Sequence, residues 1–131
     1  MSATAARQPN WDIDRLEGEA GEHAVAQMLR SDNIEVKYDR RAQQTGQLFV
    51  ETDCRYKTGW GPSGINKTKA DTWFFVLDLE EKVTISVSTA RLRSLVEKYR
   101  NSRPLSMNRG SHHTLGVGIP LSAITKPGGK E

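Results

Sequence analysis

The chain has 131 residues, 36% hydrophobic and 27% charged, with 19 Lys and Arg against 16 Asp and Glu for a formal net charge of +3. That suffices for one soluble domain with a real core, residues 1–131 with loose tails at about 1–9 and 126–131, and is too little for two. No apolar run reaches the length of a membrane span, MSATAARQPN lacks the apolar centre of a secretory signal, and the lone Cys54 excludes a disulfide framework and a thiolate metal site, so a reducing cytoplasm is the expected compartment.

In chain order, Asn10 or Asp12 opens a helix to about Arg30. Leu16, Ala20, Ala24 and Met28 recur every four residues with Ile13, Val25 and Leu29 beside them, a stripe suited to a core. Gly18 and Gly21 interrupt it at a cost of roughly 1 kcal/mol each relative to Ala. Glu22 falls near the edge of the apolar face, Glu17 nearer its middle, and Glu19 points away.

Asn33 to Asp53 reads as two short strands around a turn. Ile34, Val36 and Tyr38 alternate with Glu35, Lys37 and Asp39, so the charged three share a face. RRAQQTG ends in Gly46, which takes positive φ readily. The return strand QLFVETD sets Leu48 and Val50 on one face and Phe49, Glu51 and Asp53 on the other. An antiparallel hairpin would bring Glu51 to the Glu35/Lys37/Asp39 row. Carboxylates crowded in this way repel unless a divalent cation sits among them.

Residues 54–71 read as a Gly/Pro-rich surface loop. Thr72 to Asp78, TWFFVLD, is apolar on both faces, as a central strand is. Lys82 to Ser88 alternates Val83, Ile85 and Val87 with polar residues. Ser88 or Thr89 caps a helix to about Arg100 that buries Leu92, Leu95, Val96 and Tyr99. Residues 101–114 read as irregular, Thr114 to Ile119 as a short strand, and Leu121 to Ile124 as a brief turn. The order is α-β-β-(loop)-β-β-α-β, a mixed α/β domain.

Charge is unevenly spread. Residues 10–36 hold seven acids and two bases, −5; residues 37–69 seven bases and three acids, +4; residues 91–109 six bases and one acid, +5. An acidic cluster between basic flanks suits a metal site that also holds a polyanion.

Gly21-Glu22 on a helix, followed by Glu35-Val36-Lys37 on a strand, resembles the PD-(D/E)XK nuclease superfamily, which includes restriction endonucleases and Holliday junction resolvases. More narrowly, EVKYDRRAQQTGQLFVE followed by PSGINKTKADTWFFV is similar to a group of small phage-type nucleases, over roughly residues 17–100. The resemblance implies a restriction endonuclease-like fold, a central mixed sheet flanked by helices, and Mg2+- or Mn2+-dependent hydrolysis of phosphodiester bonds in DNA. It implies Glu22 as the helix acid, Glu35 as a metal-binding acid and Lys37 as the amine at the phosphate or attacking water. The family's usual Asp strand before E-x-K is missing. A second alignment makes Asp39 the family Asp and Glu51 the second acid, with Asp53 where the lysine belongs and Lys37 supplying the amine. Glu35, Asp39 and Glu51 are then the metal ligands, and Arg40, Arg41, Lys57, Lys67 and Lys69 the nucleic-acid contacts. The small surface leaves room for a homodimer. A phage-encoded enzyme would work in a host cytoplasm.

Each residue also has a plainer reading. Glu35 and Lys37 serve as an exposed ion pair worth ~0.2–1 kcal/mol. His112 and His113 are solvated, Asp71 caps a turn, Trp60 stacks on a base or covers the core edge, Ser63 lacks a His/Asp partner, and Cys54 is a small buried side chain. The non-enzymatic alternative is a protein of the same fold that binds nucleic acid or a host protein without cutting.

Overall fold

TWFFVLD does become a central strand. In the computed structural model, which describes residues 11–30 and 33–126, β4 (Thr72–Asp78) lies between β1 (Ile34–Tyr38) and β5 (Val83–Ser88). Its residues alternate between half-buried and buried, with Trp73, Phe75 and Leu77 inward. β5 runs antiparallel to it, and β1 runs parallel, Ile34 opposite Thr72 and Tyr38 opposite Val76.

The second sheet is antiparallel, in the order β3 (Gly59–Pro62), β2 (Gln47–Tyr56), β7 (His112–Pro120), β6 (Pro104–Arg109). The described residues are therefore mixed α/β with two sheets and four helices: α1 (Trp11–Arg30), α2 (Ala42–Thr45), α3 (Thr89–Tyr99) and α4 (Leu121–Ile124). Two sheets stand where one central mixed sheet was expected, and three expectations need correction. β1 and β2 do not form a hairpin: RRAQQTG folds into α2, closed by Gly46 at φ 73, and carries the chain from one sheet to the other. The supposed surface loop holds β3, a hairpin partner of β2. The supposed irregular stretch 101–114 holds β6 and the start of β7, paired around Gly110 and Ser111.

Both sheets share one core. Leu48, Val50, Val117 and Ile119 come from the second sheet and Trp73, Phe75, Leu77 and Val87 from the first. Ile65 and the α3 residues Leu92, Leu95 and Val96 close it. Each buried side chain of this size contributes about 1.5–3 kcal/mol relative to exposure. α3 starts where its cap predicts: Ser88 Oγ accepts from the Arg91 N–H at 3.0 Å.

By contact the chain divides before Asn33, and α1 forms a unit by itself. Its stripe residues Leu16, Val25 and Leu29 are exposed, so the helix alone does not supply the core its pattern predicts. Glu22 is also exposed, and it belongs to this unit while the other candidate residues belong to the second. Among the described residues no helix is long and apolar enough to cross a membrane.

Candidate active-site cleft

The site begins with an inverted strand. Partners in a parallel pair share a face, so Glu35 lies on the side of Trp73 and Lys37 on the side of Phe75, both core residues. Val36 and Tyr38 point the other way and stay 56% and 53% exposed. β1 thus turns its charges inward at the sheet edge. Lys37 Nζ lies 3.5 Å from Glu35 Oε2 and 5.6 Å from the centroid of the Trp73 ring. Both side chains of the pair are more than one-third exposed, so the pair is worth only ~0.2–1 kcal/mol.

Asp39 follows directly. Its N–H donates to the Val76 carbonyl at 2.9 Å, which extends the β1–β4 ladder by one residue. Its Oδ2 accepts from the Phe49 N–H on β2 at 2.8 Å. The carboxylate therefore ties the end of one sheet to a strand of the other and keeps its second oxygen for another partner.

Glu51 is placed by a bulge and a clamp. The β2–β7 register slips between Glu51 and Asp53, leaving Thr52 as the extra residue. Beyond a bulge the alternation reverses, so Cys54 rather than Asp53 shares the face of Phe49 and Glu51. Asp53 instead accepts from the Thr52 hydroxyl at 2.9 Å, which removes it from the lysine position of the second alignment. The segment Ser63-Gly64-Ile65-Asn66 grips this bulge. The Ser63 N–H and Asn66 Nδ2 both donate to the Thr52 carbonyl, at 3.0 and 3.1 Å. Gly64, at φ 52, packs so closely that a Cβ there would overlap the Glu51 carbonyl oxygen. Ile65 anchors the segment in the core.

These elements enclose a cleft of about 810 Å³. Lys37, Tyr38, Asp39, Arg40 and Arg41 line one side, Phe49, Glu51 and Cys54 another, and Trp73, Met107, His112 and Thr114 complete it. Lys37, Asp39, Glu51, Arg40 and Arg41 thus line one cleft, reached from two sheets rather than from one hairpin face. Glu35 does not line the cleft and is engaged with Lys37. Compared with protein-family models, curated proteins and solved structures, the chain finds no match, so the cleft's chemistry must be read from its own geometry.

Among the described residues no group of three or more His, Cys, Asp or Glu is arranged to hold a metal ion. Asp39 and Glu51 are the two carboxylates of the cleft lining. Two hard oxygen donors, with water completing the shell, fit Mg2+, which usually takes one or two carboxylates and keeps several waters. They do not make a caged Ca2+ or Zn2+ site.

Of the other expected nucleic-acid contacts, Lys57, Lys67 and Lys69 are exposed outside the cleft lining. The basic segment 91–109 is largely used within the fold. Arg91 donates to the Ala123 and Lys126 carbonyls, Arg93 to those of Ile65 and Thr68, and Arg103 to Gln47 Oε1 at 2.6 Å. Arg100 pairs with Glu97. Asp71, read as a turn cap, accepts instead from Asn33 Nδ2 at 3.4 Å, where β1 begins.

Among the cleft residues outside the expected site set are Trp73, which reads as plain core, and His112, which reads as solvated. Trp73 is 1% exposed, lines the cleft, and has an indole N–H with no acceptor among the described residues. Its apolar neighbours Phe74 and Phe75 hide it in the sequence. The alternation of Leu105 and Met107 before Arg109-Gly110-Ser111 is a hairpin signal that places His112 on a strand.

Proposed function

We propose that this chain is a Mg2+- or Mn2+-dependent nuclease, an endonuclease on a restriction endonuclease-like fold, that hydrolyses phosphodiester bonds of DNA in the cleft. The observation that carries the proposal is the meeting of Asp39 and Glu51, from different sheets, with Lys37, Arg40 and Arg41 around one cavity. A bound divalent ion would acidify a water and neutralise charge on the phosphate. Asp39 and Glu51 would hold that ion. Lys37 presents its amine where negative charge develops on the phosphate, steadied by Glu35 and the Trp73 ring. Arg40 and Arg41, both exposed, neutralise flanking phosphates.

Of the two alignments, the geometry favours the one that uses Asp39 and Glu51, because Glu35 stays outside the lining. The test is cleavage of duplex, junction and single-stranded DNA with Mg2+, with Mn2+ and with EDTA. Metal-dependent cutting that disappears in Asp39→Asn and Glu51→Gln is the expected result. A protein that cuts none of these forms with either metal is not a nuclease.

The second reading is a nuclease-like fold that binds nucleic acid without cutting it. It draws on the two-carboxylate site and on the use of one Asp39 oxygen in holding β2. Salt-sensitive DNA binding with no cleavage, unchanged by Glu51→Gln, is its signature.

A further inference from the structure

Residues 54–70, CRYKTGWGPSGINKTKA, contain Arg55, Lys57, Lys67 and Lys69 and no acid. They form the end of β2, all of β3 and the 3-10 turn Gly64–Asn66 that follows. All four bases are exposed, and among the described residues none of them is in a salt bridge. Asp53, the carboxylate two residues before Arg55 on the same strand face, is occupied by the Thr52 hydroxyl.

The hairpin carries two aromatics with different employment. Tyr56 lies against Gly61, where a Cβ would come within 3.1 Å of its ring. It donates to the Pro62 carbonyl at 2.9 Å and has Lys67 Nζ 5.3 Å from its centroid. The hydrogen bond with the Cys54 thiol raises the phenol above its ordinary pKa. Tyr56 is therefore spent on holding the hairpin. Trp60 is not. It is the direct cross-strand partner of Arg55, so the two project from one face. It is 49% exposed and belongs neither to the core nor to the side chains packed against it.

An uncovered indole paired with an arginine, among cations that no acid neutralises, matches a polyanion that also offers flat π-faces. Unpaired bases offer such faces. A duplex keeps them stacked on one another, and an acidic peptide supplies charge without them. We propose that the β2–β3 hairpin binds single-stranded nucleic acid: Trp60 stacks on an unpaired base while Arg55, Lys57 and Lys69 hold the adjacent phosphates. This deepens the nuclease reading, since the substrate of the cleft would then be DNA with an unpaired segment. The binding itself does not depend on cleavage.

The test uses the full chain in EDTA, where no cutting occurs, and fluorescence anisotropy with a labelled oligothymidylate of about 15 nucleotides, at the upper end of the ~4–16 nucleotides that single-strand grooves cover. A blunt duplex of the same length and polyglutamate as competitor complete it. The oligothymidylate should bind more tightly than the duplex and resist the competitor. Trp60→Ala should weaken it by about 5- to 150-fold, and Trp60→Phe should restore most of the loss. Replacing Lys57 and Lys69 by Gln should flatten the slope of log affinity against log salt by about 1.4, roughly 0.7 for each phosphate no longer neutralised. Trp60 packs on nothing in the core, so an unchanged melting temperature verifies that the variants are folded. Equal binding of duplex and single strand, wild-type affinity in Trp60→Ala, or equal displacement by polyglutamate would each overturn the proposal. Metal-dependent cleavage is scored separately. A protein that cuts nothing but shows this binding pattern keeps the hairpin inference and loses the nuclease reading; one that cuts and binds indifferently does the reverse.

Discussion

Replacing Asp39 separates its bond to β2 from the metal-binding role proposed for it. Its carboxylate accepts the Phe49 N–H at 2.8 Å in a partly buried place, and that bond joins the end of β1 to β2. A hydrogen bond to a charged acceptor is worth about 1.5–3 kcal/mol, and a neutral one about 0.5–1.5 kcal/mol. Asp39→Ala removes the acceptor and leaves a backbone donor unpaired, so a loss of about 2 kcal/mol is expected. Asp39→Asn keeps a carbonyl oxygen in the same place and should cost about 1 kcal/mol. For a chain of this size each kcal/mol moves the melting temperature by roughly 3–6 °C. The Ala variant should therefore melt visibly below the Asn variant, and the Asn variant slightly below wild type.

Cleavage should not follow that order. Both variants lack the negative oxygen that would face a cation, so both should lose at least about 100-fold in turnover, the scale of removing one preorganised electrostatic group. Urea melts and a plasmid-nicking assay with Mg2+ read the two quantities independently. If Asp39→Asn cut as well as wild type, the carboxylate would be a strut and no more, and the cleft would lose one of its two proposed metal donors. If Asp39→Ala melted with wild type, the strut itself would be wrong.

Four further substitutions test the same site. Gly64→Ala would put a Cβ into the Glu51 carbonyl at a positive φ, so it should destabilise by at least about 1–2 kcal/mol from the backbone term alone and lower cleavage by shifting Glu51; a stable, fully active variant would refute the clamp. Glu51→Gln should abolish cutting while Glu35→Gln retains most of it, as scored on one labelled substrate, because only Glu51 lines the cleft; the opposite pattern would restore Glu35-Val36-Lys37 as the working motif. Lys37→Ala should cut turnover but leave Mn2+ affinity intact, read by titration of the ion, since the role proposed for the amine is on the phosphate and not on the metal; a matching loss of Mn2+ binding would contradict that role.

What could be read from the sequence depended on how local its cause is. β4 follows from a continuous apolar run, and α3 from apolar residues at period 3.6 behind a serine cap, each within a dozen positions. The strand character of 34–38 and 47–53 was equally local, and both strands exist. Their pairing was not local. Adjacent strands in sequence usually pair, but β1 takes β4 as its partner, 38 residues further on, and α2 occupies the turn that a hairpin would have used. The bulge at Thr52 is set by tertiary hydrogen bonds from Ser63 and Asn66, so nothing in QLFVETD announces that Asp53 and Cys54 exchange faces. The alternation nonetheless places Lys37 within β1, Asp39 just past its end and Glu51 within β2, and the three line one cleft.

The inverted pattern of β1 admits two causes. Edge strands are commonly protected from pairing with other chains by charges that point inward, and Glu35 with Lys37 at the edge of the first sheet meets that need. Edge protection, however, asks only for charge and is indifferent to what stands opposite. Here Lys37 sits 5.6 Å from the ring of Trp73, whose N–H has no acceptor among the described residues, in a cavity that a second carboxylate enters from another sheet. That carboxylate, Glu51, is held by a bulge and by a glycine that tolerates no side chain. A strand that only guarded an edge would need neither Asp39 reaching to Phe49 nor Glu51 fixed across from it. Protection thus accounts for the Glu35–Lys37 pair but not for the convergence of Lys37, Asp39 and Glu51 on one cavity, which the proposed binding of a polyanion with an accompanying cation would explain.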